Sequence, residues 1–222
     1  MSARLHSAVV CLLLAMGCTL EHQRPANAQQ PSLQASADTT IRRYGLKSGR
    51  LVSAFHRPGQ AAPDTTVFIF DDFGRRERSE QSYTLVVGNN QPVRVRTVLI
   101  RNGRKVHTLN VERKTAHTSV VGATTREPFV DFMGLSPAEL EALHVRRIGV
   151  DTVAGLPCDV FAINDPERDI VGTYHVWKNL PIQTDVTING SRMLITPVEI
   201  QSDIDVAPSL FVIPPGYRTY TE

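Results

Sequence analysis

From residue 40 onward the chain is a succession of short β-branched and aromatic runs separated by turn residues, and this punctuation limits the fold more than any other feature. "TTVFIFDDFG" is a strand-forming run ended by aspartates and glycine, the usual boundary of a strand. "VRVRTVLIRNGRKVHTLNVER" places Asn102-Gly103 between two alternating runs, the strongest short-range signal for a hairpin. "IRRYGLKSGRLVSAFHR" reads as two strands meeting near Ser48-Gly49, and "ERSEQSYTLVV" extends the meander. Beyond residue 148 the runs "GVDTVAG", "CDVFAIND", "VGTYHVWKN", "IQTDVTING" and "RMLITPVEIQ" follow, with Asp165-Pro166 and Asn189-Gly190 as turns. Tight turns join antiparallel neighbours, since a parallel connection needs a dozen or more residues. The expectation is a continuous, mainly β (α+β) antiparallel sheet that must curl to bury one face.

One stretch breaks the pattern. In "FVDFMGLSPAELEALHVRRIG", Ser136-Pro137 supplies an N-cap and a proline at the first helical position, with Glu139 in the first turn. Leu140 and Leu143 recur at helical spacing and Gly149 offers a stop, which predicts a short helix over 137–143. It is too short to be a second domain and is expected to lie across the concave side of the sheet or its mouth. Near the end, Pro208 stands where a single helical turn could start, and "PPG" at 214–216 closes the fold.

The first 28 residues read as an export signal and not as structure. Arg4 is followed by the ten-residue apolar run "AVVCLLLAMG", too short to span a bilayer as a helix. "ANA" at 26–28 is a signal-peptidase site, which makes 1–28 the signal peptide and 29–39 a disordered lead-in. "LLAMGC" competes as a lipoprotein signal ending at 17, after which Cys18 would be lipidated; Ala15 and Met16 depart from that pattern. Both routes lead to export. Removal of 1–28 leaves a formal charge of +1, from 22 basic and 21 acidic side chains, and gives no electrostatic case for nucleic acid. Cys158 then has no partner for an internal disulfide and no companions for a cysteine-rich zinc site.

Candidate chemistry is thin. Cys158, in "GLPCDVF", could be a nucleophile only if a base such as His175 reached it through space; otherwise it is a small core residue starting a strand after a Leu-Pro corner. Asp71 and Asp72, with Asp64 upstream, lack the spacing that gathers calcium ligands and read as a turn with Gly74 at positive φ. His56, His107, His117, His144 and His175 form no zinc-binding spacing. No nucleotide loop and no serine elbow occurs. The basic hairpin with Arg94, Arg96, Arg101, Arg104 and Lys105 is either a face for anionic head groups or an acidic partner, or a solvated strand face. Phe129, Phe132, Met133 and Leu135, just before the helix, are either core or a pliable apolar lid.

The words "YGLKSGRL", "FIFDDFGRR", "GLPCDVF", "HVWKNLPIQTDV" and "APSLFVIPPGY", in this order, resemble a group of secreted bacterial proteins similar to the periplasmic lipoprotein-localisation factor (LolA/LolB-like) superfamily. The resemblance covers roughly Tyr44 to Tyr217. It implies a single domain over 40–222, an unclosed antiparallel half-barrel with one or more short helices over its concave face. It further implies a non-enzymatic, periplasmic carrier or binding module for an apolar ligand, such as a lipid or a lipoprotein acyl chain. On that reading Phe129, Phe132, Met133 and Leu135 form the lid. No ligand-contact motif of the family is present to assign a binding residue. The alternative is an envelope interaction module whose core its own side chains fill. No cofactor and no metal is expected, a monomer is expected, and membrane association follows only if Cys18 is lipidated.

Export gives the first prediction. Mass spectrometry of the mature protein should find an N-terminus at Gln29 without lipid. A diacylated peptide beginning at Cys18 would show an anchored lipoprotein instead.

Overall fold

The turns written into the sequence organise a single sheet. A computed structural model describes residues 42–58, 62–87, 91–120 and 135–221. In chain order the strands are β1 (Gly49–His56), β2 (Asp64–Asp71), β3 (Arg76–Val87), β4 (Gln91–Asn102), β5 (Lys105–Asn110) and β6 (Thr115–Val120). Helix α1 (Pro137–Ala142) follows, then β7 (Val145–Val153), β8 (Leu156–Asp165), β9 (Ile170–Trp177), β10 (Leu180–Ile188), β11 (Ser191–Ser202) and β12 (Arg218–Thr221). Single 3-10 turns cover Asp72–Gly74 and Pro208–Phe211.

Asn189 and Gly190, at φ of 49° and 72°, form the two-residue link from β10 to β11, the mirror-image turn that matches strand twist. At the other Asn-Gly the turn sits one residue later than the dipeptide suggests. Asn102 still pairs with Lys105, and Gly103, at φ 59°, is the first turn residue. Helix α1 has a complete capping box: the Glu139 amide donates to Ser136 Oγ, and the Ser136 amide donates to a Glu139 carboxylate oxygen.

The sheet has the order β12-β6-β5-β4-β3-β2-β1-β11-β10-β9-β8-β7. Two antiparallel meanders, β1–β6 and β7–β11, are joined side by side where β1 pairs with β11. The result is an open curved sheet that does not close into a barrel. Two expectations need correction. Residues 42–48 form a bent strap and not a strand, because their backbone bonds go to the ends of other elements: Arg43 N–H to Phe73 O at 2.8 Å and Gly45 N–H to Lys178 O at 2.8 Å. Nor is the sheet wholly antiparallel. After β11 the chain crosses six strands and adds β12 parallel to β6, and residues 203–217 are long enough for that crossover.

Strand alternation gives each half a different dry face. On the first face, Phe55, Phe161, Ile163, Ile170, Tyr174, Val186 and Met193 make one cluster, against which Leu140 and Leu143 at α1 pack. Beside it Leu51, Phe70, Cys158, Leu180 and Ile182 are capped by Tyr44 and Leu46 from the strap. On the opposite face, in the first meander only, Val98, Ile100, Leu109 and Ala116 are covered by the crossover through Phe211, with Val206, Leu210, Ile213 and Tyr217 around it.

Phe211 is 2% exposed and is the main apolar anchor of that crossover. Phe211→Ala should cost about 3–5 kcal/mol, read as a large fall in melting temperature with the sheet's circular dichroism retained below the new midpoint.

Candidate functional site

Where the crossover ends, the opposite face of β2, β3 and β4 opens into a groove of about 630 Å³, lined by Thr65, Val67, Glu80, Gln81, Ser82, Arg94, Arg96 and Glu112. Strand alternation brings these residues together. Val67 is the partner of Glu80, and Thr65 of Ser82, while Ser82 pairs with Arg96. Glu112 reaches in from the turn after β5, its carboxylate accepting the Arg96 amide at 2.9 Å. Arg96 also pairs with Glu80. Arg78 Nε donates to the same carboxylate at 2.8 Å, and its Nη1 donates to Leu210 O of the crossover at 3.0 Å. Burial pushes the Glu80 carboxyl up, but the hydrogen bonds from Arg96 and Arg78 outweigh it and hold it below its ordinary value. Arg94 is exposed, with Nε donating to Ser82 Oγ at 2.8 Å. Among the described residues no carboxylate pairs with it.

The basic hairpin is thus divided by the pleat. Arg94 and Arg96 face the groove, whereas Arg101 faces the other way, 4% exposed, with Nε 3.2 Å from the Glu77 carboxylate. Glu77 also accepts from Tyr44 Oη at 2.9 Å and lies 3.5 Å from Arg43. Sequence reading missed this buried ionic cluster. The only signal for it was that Glu77 and Arg101 are strand partners, which depends on a register the sequence does not state.

Cys158 is 1% exposed within the apolar cluster under the strap, and Sγ donates to Leu156 O at 3.4 Å. The strand begins at Leu156, two residues before the cysteine, so Leu156-Pro157 is part of β8 and not a corner before it. Burial is the main cause that pushes the Cys158 thiol up, with Asp151 and Asp159 adding to it, the opposite of an activated nucleophile. His175 turns to Asp151, with Nε2 3.2 Å from Oδ2. Asp71 is a turn residue as read: Oδ1 accepts from the Asp72 amide at 2.8 Å, Arg76 pairs with the carboxylate, and Gly74 lies at φ 85°. Phe129, Phe132 and Met133 lie outside the described residues, as do Cys18 and the export signal. Leu135 is half-buried at the start of the segment leading into α1.

No protein-family model and no curated protein sequence matches the chain. Solved structures do. An uncharacterized conserved protein from Thermus thermophilus aligns over 80% of this chain and 93% of its own, with a TM-score of 0.52 and 9% identity. MucB in the MucA/MucB complex of Pseudomonas aeruginosa aligns over 74% of this chain and 55% of its own, at 0.45 and 16%. A LolA superfamily protein, NE2245 from Nitrosomonas europaea, aligns over 77% and 92%, at 0.31 and 8%. At such identities the first shows a shared fold alone, and the open sheet with short helices agrees with the LolA/LolB-like fold that the resemblance implied.

The raised thiol gives a pH prediction with a definite sign. An acid whose folded-state pKa is raised supports the fold fully below its unfolded value of about 8.5, and that support is lost as pH rises from there towards the folded value. Stability should therefore fall above roughly pH 8.5, and Cys158→Ala should flatten part of that fall. The substitution itself should cost about 1 kcal/mol or less, as urea melts across pH 7–10 would show.

Proposed function

We propose that this chain is an exported binding module that holds an extended, acidic polypeptide segment in the groove over β2, β3 and β4. The observation that carries the reading is that the chain already binds its own crossover along the same face. There Phe211 and Leu210 seat against β2, β4 and β5, and Leu210 O takes a hydrogen bond from Arg78. Arg78 also touches Glu80, so the self-occupied trough runs into the open groove. In the open part, Val67 and Thr65 offer contact area, and exposed Arg94 offers a cation. Such a site recognises an extended chain by shape and a carboxylate by charge.

A second reading places an apolar ligand, a lipid or a lipoprotein acyl chain, on the first face beneath Phe129, Phe132, Met133 and Leu135. It is favoured by one observation: Leu140 and Leu143, directly after that segment, pack on the apolar cluster of β7–β11. Against it stands the lining of the first face on β1, β3 and β4, where Ser53, Ser79, Glu77 and Arg101 are buried polar groups. An acyl chain there would lie against buried charge and hydroxyl in place of an apolar lining.

Fluorescence anisotropy separates the readings. Acidic peptides of extended conformation should bind roughly tenfold more tightly than basic ones, and Arg94→Glu should remove the preference, as one charge contact of about 1.4 kcal/mol implies. Equal binding of both peptide classes would overturn the groove reading. So would native mass spectrometry of envelope-purified protein showing a stoichiometric lipid that Arg94→Glu leaves in place.

A further inference from the structure

The two ends of the sheet are treated differently. At one end β12 pairs with β6. At the other β7 is outermost, and among the described residues no strand pairs with its outer side. It runs nine residues, with Ile148 51% and Val150 73% exposed. The edge carries two exposed β-branched apolar side chains and no proline, and its exposed charges, Arg146, Arg147 and Asp151, are of both signs, so that they can oppose one another across a pair of strands.

About Gly149 the strand "VRRIGVDTV" is complementary to its own reverse: valine meets valine at 145 and 153, β-branched residues meet at 148 and 150, and opposite charges meet at 147 and 151. Two copies laid antiparallel about a two-fold axis at Gly149 place Ile148 opposite Val150 of the partner subunit. Arg147 then faces Asp151 of the partner subunit, Arg146 faces Thr152 of the partner subunit, and Val145 faces Val153 of the partner subunit. Cross-strand pairs of opposite charge and of β-branched residues stabilise a sheet, and like charges directly opposite weaken it.

Gly149 supports the same axis. A Cβ built there would meet nothing within 4 Å, so the subunit leaves open space in front of residue 149. On a two-fold axis residue 149 faces its own copy, where Cα atoms come as close as about 4.5 Å, and a bare residue permits that approach. A bulge at Ile148, between the partners of Phe161 and Val160, turns an extra apolar side chain out of the ladder. Arg147 and Asp151 have internal neighbours, Asp159 at 2.8 Å and His175 at 3.2 Å, yet their side chains stay 54% and 60% exposed. Each keeps room for a second partner.

We propose that two copies of this chain join through β7, antiparallel about Gly149, into one continuous sheet, where a monomer was expected from sequence. A closed two-fold interface of this kind is self-limiting.

Light scattering and sedimentation of the exported protein should give twice the chain mass at micromolar concentration. Arg147→Asp alone, and Asp151→Arg alone, should each weaken dimerisation roughly tenfold or more, since each sets like charges opposite at two symmetric positions. Mixing the two single variants should restore the dimer, because every pair in the mixed species is again of opposite charge. The double variant Arg147→Asp/Asp151→Arg should restore it as well, which rules out simple misfolding as the cause. A protein that stays monomeric to several hundred micromolar (about a hundredfold above the expected range) would overturn the proposal. A dimer indifferent to both charge reversals, or not rescued on mixing, would overturn it too.

Discussion

The structure hangs on the pairing of β1 with β11. Gly49 faces Ser202 and His56 faces Leu194 across this seam, so segments at opposite ends of the domain must meet before either meander has a complete neighbour. Closing so long a loop is costly in entropy, and its contacts reward the chain only late. Local bonds reinforce the junction: Ser48 Oγ donates to Ile204 O at 2.7 Å, the Asp203 amide donates to Ser48 O at 2.8 Å, and Arg50 pairs with Glu199 at 2.8 Å. Without the seam each meander would expose an edge, and the clusters containing Phe55 and Leu51 would lose the strands that complete them.

The seam also decides where function can lie. A wide sheet has two faces and too little chain to cover both. Here the second meander is covered on one face by α1 and the strap, and the first meander on the other by the crossover. The groove appears where the crossover stops short, so its lining is strand surface with the polarity of a half-covered sheet. There Glu80 pairs with Arg96 and Arg78, Glu112 accepts from the Arg96 backbone amide, and Arg94 is left as a cation facing solvent.

How much of this was legible in the sequence depended on the range of the interaction. Asn189-Gly190, Asp165-Pro166, the N-cap at Ser136 and the turn at Pro208 all act within a few residues, and all stand where the sequence places them. The strap was misread as a strand because "IRRYGLK" has strand-like composition, while its hydrogen bonds go to Phe73 and Lys178, which no local pattern names. The parallel β12, the seam itself and the Glu77–Arg101 pair were illegible for the same reason. Each depends on register between distant segments. The groove was half-legible: Arg94 and Arg96 drew notice as a basic hairpin, but strand parity alone could not reveal that Glu112 would swing in from a turn.

The strap has a mechanical meaning. Residues 42–48 are tied on one side to the 3-10 turn at Phe73 and to Glu77, and on the other to Lys178 and Asn179 at the link between β9 and β10. Tension arriving from residues before Arg42 is therefore shared between both meanders and does not unzip one strand from a free edge. A tug spread over several hydrogen bonds in parallel is resisted far better than one that breaks them in turn. The strap thus joins the two meanders as well as capping the cluster beneath it.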